Sequence, residues 1–296
     1  MLCRTRKYVY FCRSKVENQH CFMIKRLAIW LFGCAVLAGC AQEFNRVYKS
    51  PDYAYKYEYA KECYIRGKYA NAITLLQEVL TVMKGTENAQ ECMYMLAMSE
   101  YRYRDYETAS TYFKKYISSY PRGEYAEMAS FYVGESLYMS TPEPRLDQTP
   151  TIAAIGAFQE YLDLYPDGQM RETAQQRLFE LQGKLVKKEY LSAQLYYNLG
   201  TYFGNCTNGG NNYEACIVTA QNAIKDYPYS DYREDFAILI MKSKFKLAEQ
   251  SVEEKKLERY REAEDECYGF VNQYPESEER ATAEKYIEAC KKYLKD

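Results

Sequence analysis

Apolar and small residues recur along the chain in a fixed register to four Tyr-Pro dipeptides, whose prolines are Pro121, Pro166, Pro228 and Pro275. A small residue stands twelve positions before each proline, and further apolar residues stand eight and five positions before it. Residues spaced by four and seven share one face of an α-helix, whereas a strand would alternate every two residues. A fifth copy without proline opens at Tyr69. The pattern therefore predicts one helical element repeated five times.

Each copy is the second helix, helix B, of a two-helix unit. The small residue lets helix B approach the preceding helix A, and the proline ends one unit and starts the next. The small positions are Ala72, Ala109, Ala154, Cys216 and Ala263. Helix A is predicted over residues 53–66, 88–103, 125–140, 190–203 and 232–249. This organisation resembles the tetratricopeptide repeat (TPR), which implies an all-α fold, an α-α superhelix of about five repeats.

Three segments depart from the regular repeat. The third unit has a long loop, 141–150, between its two helices. Residues 169–202 contain no proline and keep a helical apolar period, which predicts one long helix or two nearly collinear helices. Residues 276–293 are predicted to form a C-terminal capping helix with a polar outer face.

The N-terminal segment has the pattern of an export signal. Lys25 and Arg26 precede a short apolar run, which ends in Leu37-Ala38-Gly39-Cys40. The run is too short to span a bilayer. The last four residues resemble the lipobox of bacterial lipoproteins, in which the cysteine thiol carries the lipid. Cys40 is therefore the predicted lipid-attachment residue, and several acyl chains on one residue give stable anchoring.

These observations divide the chain into five predicted regions. Residues 1–22 are an over-extended start or a genuine long leader, and residues 23–39 are the signal peptide. Residues 40–52 are the lipid anchor and tether. Residues 53–168 form an N-terminal TPR half with repeats 1–3. Residues 169–296 form the linking helix and a C-terminal half with repeats 4–5 and the cap.

Charge and residue types exclude several function classes. Seven of the 39 Lys and Arg residues and one of the 41 Asp and Glu residues precede Cys40, so the remainder carries a net charge of −8. No basic tract interleaves with aromatic residues, so the sequence argues against nucleic-acid binding. The only histidine, His20, also precedes Cys40. The rest of the chain therefore lacks histidine triads and histidine metal sites, and no phosphate-binding loop is present. We expect no cofactor, no metal and no enzymatic activity.

Cysteines and tyrosines each allow two interpretations. Cys206 and Cys216 flank an Asn/Gly-rich insert at 204–212, and Cys267 and Cys290 flank a helix break. Each pair can form a disulfide in the periplasm, or the cysteines can act as small apolar core residues. The 34 tyrosines can form a surface that stacks on sugars or peptides, or can serve as the bulky core residue of the repeat.

With the lipobox, the repeats and the linking helix in place, the chain resembles the BamD family, the helical lipoproteins of the outer-membrane β-barrel assembly machinery. The third-unit loop 145–150 and the linking helix around Gln176-Arg177-Leu178 carry the likeness, whereas the 204–212 insert departs from it. The resemblance implies a periplasm-facing outer-membrane subunit. Its C-terminal half would hold the POTRA domains of the barrel-inserting subunit, and its N-terminal repeats would receive unfolded barrel precursors.

The repeat register also predicts a binding surface. Successive A helices line the concave side of a TPR superhelix. An extended or helical peptide rich in aromatic residues could lie against the A helices of the first two units. The inward-facing residues there, which we call the A-helix surface, are Tyr57, Lys61, Tyr64, Tyr94, Met98 and Tyr101. The alternative role of each tyrosine is packing between repeats.

Two other functions fit the same fold and anchor. One is a different periplasmic TPR adaptor lipoprotein, serving division or another secretion machine. The other is a glycan-capturing lipoprotein, which only the tyrosine content and the lipidation suggest. Localisation to a barrel-containing complex favours the assembly function, and retention on a polysaccharide column favours glycan capture.

Overall fold

The computed structural model of the protein describes residues 42–86, 88–202 and 211–295, and every regular element in these ranges is a helix. The prediction of an all-α fold is confirmed. A short helix, α1, spans residues 42–48. The longer helices are α2 Tyr53–Ile65, α3 Tyr69–Val82, α4 Ala89–Tyr103, α5 Tyr106–Ser119, α6 Ala126–Met139, α7 Thr149–Leu164, α8 Arg171–Leu199, α9 Asn212–Asp226, α10 Arg233–Glu249, α11 Glu253–Gln273 and α12 Arg280–Lys295.

The predicted A helices agree closely with the observed helices, with one exception. The bounds of α2, α4, α6 and α10 lie within one residue of the prediction. The fourth predicted A helix is instead the last part of α8, a single helix of 29 residues. The linking segment is therefore one long helix rather than two collinear ones.

Two segment boundaries differ slightly from the prediction. The third-unit loop ends two residues early, because α7 begins at Thr149 and accommodates Pro150 in its first turn. Proline is tolerated there because the first N–H groups of a helix have no partner within the helix. The cap, α12, begins at Arg280, so the residues just after Pro275 form a turn instead of the start of the cap.

Side chains and backbone geometry explain where several helices begin and end. The carboxylates of Asp52 and Asp105 accept hydrogen bonds from backbone N–H groups in the first turns of α2 and α5. The turns between helices A and B use a left-handed residue, Gly67 in the first repeat and Arg104 in the second, each with φ of 72°. Glycine adopts this conformation without steric cost, whereas arginine adopts it at a cost because its Cβ crowds the backbone.

The chain folds into two compact units, one ending at Tyr125 and the other starting at Ala126. In the first unit α2 packs on α3, α3 on α4 and α4 on α5, and α2 also contacts α4. In the second unit each helix from α6 to α12 packs on the next, and α8 additionally contacts α6 and α10. The predicted division between residues 168 and 169 falls inside the second unit, between α7 and α8.

The repeat positions predicted to face the core are all buried. The five small positions of helix B are fully inaccessible to solvent. The residues four and seven positions further on are buried in every repeat, among them Phe113 and Tyr116 in the second repeat and Cys267 and Phe270 in the fifth. Gly134 on α6 shows how tight the packing is, because a Cβ there would lie 2.7 Å from the ring of Phe158 on α7.

Polar contacts fasten α8 to the third repeat. The guanidinium of Arg177 makes two hydrogen bonds of 3.1 Å to the carboxylate of Glu135 on α6. Further along α8, Lys184 Nζ lies 2.6 Å from Thr141 Oγ1, and Lys188 Nζ donates to the carbonyl of Leu146 at 3.3 Å. The linking helix and the third-unit loop, which carry the family resemblance, are therefore held together by hydrogen bonds.

The cysteines of the described residues are buried and have free thiols: Cys63, Cys92, Cys216, Cys267 and Cys290. Burial raises the pKa of Cys267 to about 12 and that of Cys290 to about 11, so both are protonated at neutral pH. Their surroundings agree with the interpretation of small apolar core residues. Cys206 lies outside the described residues.

Among the residues that the structure describes, no helix combines the length and the apolar character needed to cross a membrane.

Candidate functional site on the A helices

The A-helix surface is built from the matching faces of α2 and α4. Tyr57, Lys61 and Tyr64 follow one another at helical spacings of four and three residues. Tyr94, Met98 and Tyr101 repeat those spacings on α4, and α2 contacts α4 within the first unit. The spacing places each set on one side of its helix, as the register predicts.

The six residues differ in how much surface they offer. Tyr57 is 2% exposed and Met98 is 5% exposed, so these two lie beneath the surface and support it. Lys61, Tyr64, Tyr94 and Tyr101 are half-buried, with part of each side chain accessible to solvent. The periodicity of a helix identifies the shared face but leaves open which members the neighbouring helix covers.

A charged network joins α2 to α4 at the centre of this surface. The Tyr57 hydroxyl donates to the Glu91 carboxylate at 2.7 Å, and Lys61 Nζ lies 3.4 Å from the same carboxylate. The ammonium also lies 4.4 Å from the centroid of the Tyr57 ring. Burial and the neighbouring carboxylate raise the pKa of Tyr57 well above its ordinary value, so the phenol remains a hydrogen-bond donor.

The tyrosines of α4 pack against further aromatic rings of the first unit. Tyr94 stacks on Tyr125, with centroids 4.5 Å apart and planes inclined by 11°. Its edge also meets Phe113 and Tyr116, each at 5.9 Å. Tyr94 therefore has both a packing role and a partly accessible ring, and a substitution at this position affects both.

Tyr64 and Tyr101 occupy equivalent positions and make equivalent contacts. Tyr64 meets the edge of Tyr69 with centroids 6.0 Å apart, and Tyr101 meets Tyr106 at 5.5 Å. Tyr69 and Tyr106 are the first residues of α3 and α5. The tyrosine that opens helix B thus packs against the tyrosine near the end of helix A in both repeats.

Sequence reasoning missed two members of the site, Glu91 and Tyr125. Glu91 lies three residues before Tyr94 on the same helical face, so the spacing contained the signal. Tyr125 precedes α6, and only the fold places its ring on Tyr94. The lipid-attachment residue, Cys40, lies outside the described residues.

The described residues also bear on the metal-site and tyrosine predictions. No group of three or more histidine, cysteine, aspartate or glutamate side chains in this part of the chain is placed to hold a metal ion. Tyr57, Tyr116 and Tyr161 rank among the largest fully buried side chains. This burial favours the interpretation of tyrosine as the bulky core residue of the repeat.

Comparison with known proteins decides the family. Residues 50–208, more than half of the chain, match the family model YfiO, described as outer membrane lipoprotein. The chain belongs to the YfiO family of outer-membrane lipoproteins. The match covers both compact units in part, from the segment before α2 to the segment after α8.

A curated relative of this YfiO-family protein bears a functional name. The chain is 25% identical over 178 residues to "Putative outer membrane protein assembly factor BamD" of Aquifex aeolicus (strain VF5). The aligned part covers 59% of this chain and 57% of the relative, so the chain spans little more than half of the relative's length. The resemblance drawn from the lipobox, the repeats and the linking helix is confirmed, and with it an association with the outer membrane.

Proposed function

We propose that this YfiO-family protein is a lipid-anchored scaffold subunit of the outer-membrane β-barrel assembly complex, facing the periplasm. The observation that carries the proposal is the match of residues 50–208 to a family of outer-membrane lipoproteins. The similarity to a relative named as an assembly factor supports it. The protein works by binding other proteins and not by catalysis. Lipid on the thiol of Cys40 holds it to the membrane.

The first unit receives unfolded barrel precursors on the A-helix surface. Its accessible groups are the half-buried rings of Tyr64, Tyr94 and Tyr101 and the ammonium of Lys61. Rings held by edge contacts and stacking lose little conformational entropy when a peptide docks on them, which favours binding. Tyr57 and Met98 fix the positions of these groups from below.

The second unit binds the POTRA domains of the barrel-inserting subunit. A groove of about 720 Å³ lies among α9, α10 and α11 and supports this role. Its lining combines apolar side chains, including Val218 and Leu247, with five acidic and three basic residues. Two of the acidic residues pair with basic residues of the lining, Glu266 with Lys244 and Glu214 with Arg259. A groove that combines apolar side chains with an excess of carboxylates suits a protein partner that presents apolar and basic residues.

Binding of a labelled precursor peptide, followed by fluorescence anisotropy, tests the first-unit site. The test variants are Lys61→Glu and Tyr101→Glu, and the matched control is Lys115→Glu on the exposed face of α5. We expect the two test variants to weaken binding about tenfold or more, equivalent to about 1.4 kcal/mol each. Lys115→Glu should bind like the wild type.

Folding is checked separately, because Lys61 also pairs with Glu91. Circular dichroism melts of all three variants should stay close to the wild type. Unchanged binding by folded Lys61→Glu and Tyr101→Glu contradicts the precursor site. Binding to polysaccharide without any affinity for precursor peptides would favour a glycan-capturing lipoprotein, and co-purification with another envelope machine would favour a different TPR adaptor.

A further inference from the structure

The tether next to the lipid anchor is folded onto the first repeat. A free tether would leave α1 in solvent, but Val47 of α1 is fully buried and shares one hydrophobic core with residues of α2 and α3. Phe44 packs on the same core. The chain is thus joined to the first unit within four residues of Cys40.

Three exposed tyrosines surround the junction between α1 and α2, and we call them the tyrosine rim: Tyr48, Tyr53 and Tyr55. They are 41%, 38% and 39% exposed. The ammonium of Lys56 lies 5.5 Å from the Tyr48 ring and 5.3 Å from the Tyr53 ring, so these two rings flank one cation. Arg46 Nη2 donates to the Tyr55 hydroxyl at 3.3 Å, which ties the third ring to α1.

Geometry limits how far this rim can lie from the lipid. Two extended residues span about 7 Å, and the helical rise from residue 42 to residue 48 adds about 9 Å. The backbone of Tyr48 therefore lies within about 16 Å of the backbone of Cys40. The headgroup layer of one leaflet is about 5–8 Å thick, and a tyrosine side chain covers much of the remaining distance.

We propose that the tyrosine rim inserts into the lipid headgroup layer and forms a second membrane contact beside the acylated Cys40. Tyrosine suits this interface because its ring is apolar and its hydroxyl remains hydrated. Arg46, which donates to the Tyr55 hydroxyl, and Lys49, which follows Tyr48 in the chain, can meet lipid phosphates. The contact fixes the orientation of the first unit on the membrane, which a lipid on a flexible tether would leave free.

Single tryptophan probes test this contact in the complete lipoprotein. The sequence contains one tryptophan, Trp30, inside the predicted signal peptide, so the processed protein has none. Tyr48→Trp and Tyr53→Trp report on the rim. The matched control is Tyr103→Trp, because Tyr103 is 59% exposed and is the last residue of α4, whereas the rim surrounds the start of α2.

Each purified, acylated variant is reconstituted into vesicles of phosphatidylethanolamine and phosphatidylglycerol with brominated acyl chains. We expect blue-shifted emission and severalfold stronger quenching for the two rim probes than for Tyr103→Trp. Equal quenching of all three probes, in variants that melt like the wild type, overturns the proposal. Intact mass spectrometry verifies that Cys40 carries acyl chains. The rim proposal rests on the proposed lipoprotein function, so the absence of these chains overturns it as well. Because no partner protein is present, a failed rim contact is distinguishable from failed barrel assembly.

Discussion

The turns that follow α5 and α7 are built differently from those that follow α9 and α11, although all four contain Tyr-Pro. The first two combine a tyrosine five residues before the proline with a glycine two residues after it, as in Tyr161 and Gly168. The last two place Ala223 or Phe270 at the first position and serine at the second. The two positions therefore vary together, and the structure shows why.

In the turn after α7, one buried hydroxyl connects three segments. The Tyr161 hydroxyl accepts the backbone N–H of Met170 at 3.0 Å and lies 3.2 Å from the carboxylate of Glu127, to which it donates. A Cβ at Gly168 would lie 2.5 Å from this hydroxyl oxygen. We call this arrangement the tyrosine latch, and it requires glycine at that position.

The turn after α5 repeats the latch with different neighbours. The Tyr116 hydroxyl accepts the N–H of Tyr125 at 3.2 Å and lies 3.5 Å from the side-chain oxygen of Gln90. A Cβ at Gly123 would again lie 2.5 Å from the hydroxyl. The same chemistry thus recurs in both compact units.

The turns after α9 and α11 lack the hydroxyl and use a serine instead. Ser230 Oγ accepts the N–H of Tyr232 at 3.1 Å, and Ser277 Oγ accepts the N–H of Glu279 at 3.2 Å. Arginine adds a second bond in the α9 turn, where Arg233 Nη1 donates to the carbonyl of Pro228 at 3.1 Å. Hydrogen bonds involving a nearby serine and an arginine thus replace those of the distant tyrosine hydroxyl. The same Tyr-Pro motif can therefore be stabilised by two different sets of hydrogen bonds.

The largest effect is expected from placing serine in a latch turn. Gly168→Ser should lower the free energy of unfolding by about 1–3 kcal/mol, because its Cβ overlaps the Tyr161 hydroxyl. Adding Tyr161→Phe recreates the Phe270 and Ser277 pair and should recover part of this loss, giving a coupling energy of about 1–2 kcal/mol. Urea unfolding of the full chain, followed by circular dichroism, measures Gly168→Ser, Tyr161→Phe and the double variant.

The reverse change in a serine turn is the control. Ser277→Gly removes only a local acceptor and should cost a few tenths of a kcal/mol. The distinction between the two turn types fails if Gly168→Ser and Ser277→Gly are equally mild.

Removing only the latch hydroxyl should have the next largest effect. Tyr116→Phe leaves the N–H of Tyr125 without its acceptor and should cost about 1–3 kcal/mol. Hydrogen exchange at the Tyr125 amide should become faster, which is the local measurement. Tyr103→Phe, at an exposed tyrosine, should change stability by less than about 0.5 kcal/mol. Unchanged exchange at Tyr125 would show that the latch does not protect this N–H.

Substitutions in the serine turns should lower the free energy of unfolding by less. Ser230→Ala removes the acceptor of the Tyr232 N–H near the start of α10, and we expect a loss of about 1 kcal/mol in thermal or urea unfolding. Ser119→Ala at the exposed end of α5 serves as the control and should be neutral within about 0.5 kcal/mol. A loss of stability in Ser230→Ala as large as that in Tyr116→Phe would contradict the expected order of the two turn types.

The smallest effect concerns the turns inside the first two repeats. Arg104 has the left-handed φ of 72° that Gly67 has in the first repeat. Arg104→Gly relieves this strain but increases the conformational entropy of the unfolded chain. We expect the free energy of unfolding to rise by about 0.5 kcal/mol. Gly67→Ala should be destabilising in the same urea assay. A loss of stability in Arg104→Gly would mean that the arginine side chain contributes more than its backbone costs.

Much of the fold follows from the sequence because the repeat is periodic. The small positions such as Ala109, the core positions such as Phe113 and the start of helix B at Tyr106 were all predictable from spacing to proline. The latch was not predicted, although the pairing of tyrosine with glycine and of alanine or phenylalanine with serine is present in the sequence. A hydrogen bond between a side chain and a distant backbone N–H has no periodic signature.

The candidate site was only partly predictable for a related reason. Helical spacing found the shared face of α2 and α4 but did not reveal that Tyr57 and Met98 are covered. It also missed Tyr125, whose ring reaches Tyr94 through the chain reversal after α5. The folded tether was missed because Val47 and Phe44 stand outside the repeat register.

The most direct test of the proposed function is to identify what the full-length protein binds in its own membrane. Membranes are solubilised gently, the protein is captured by a tag following Asp296, and the co-purified proteins are identified and quantified. We predict a large β-barrel subunit with repeated periplasmic domains, recovered in nearly equal amount. Absence of that subunit, together with recovery of another envelope machine, would contradict the assembly function while leaving the helical fold unchanged.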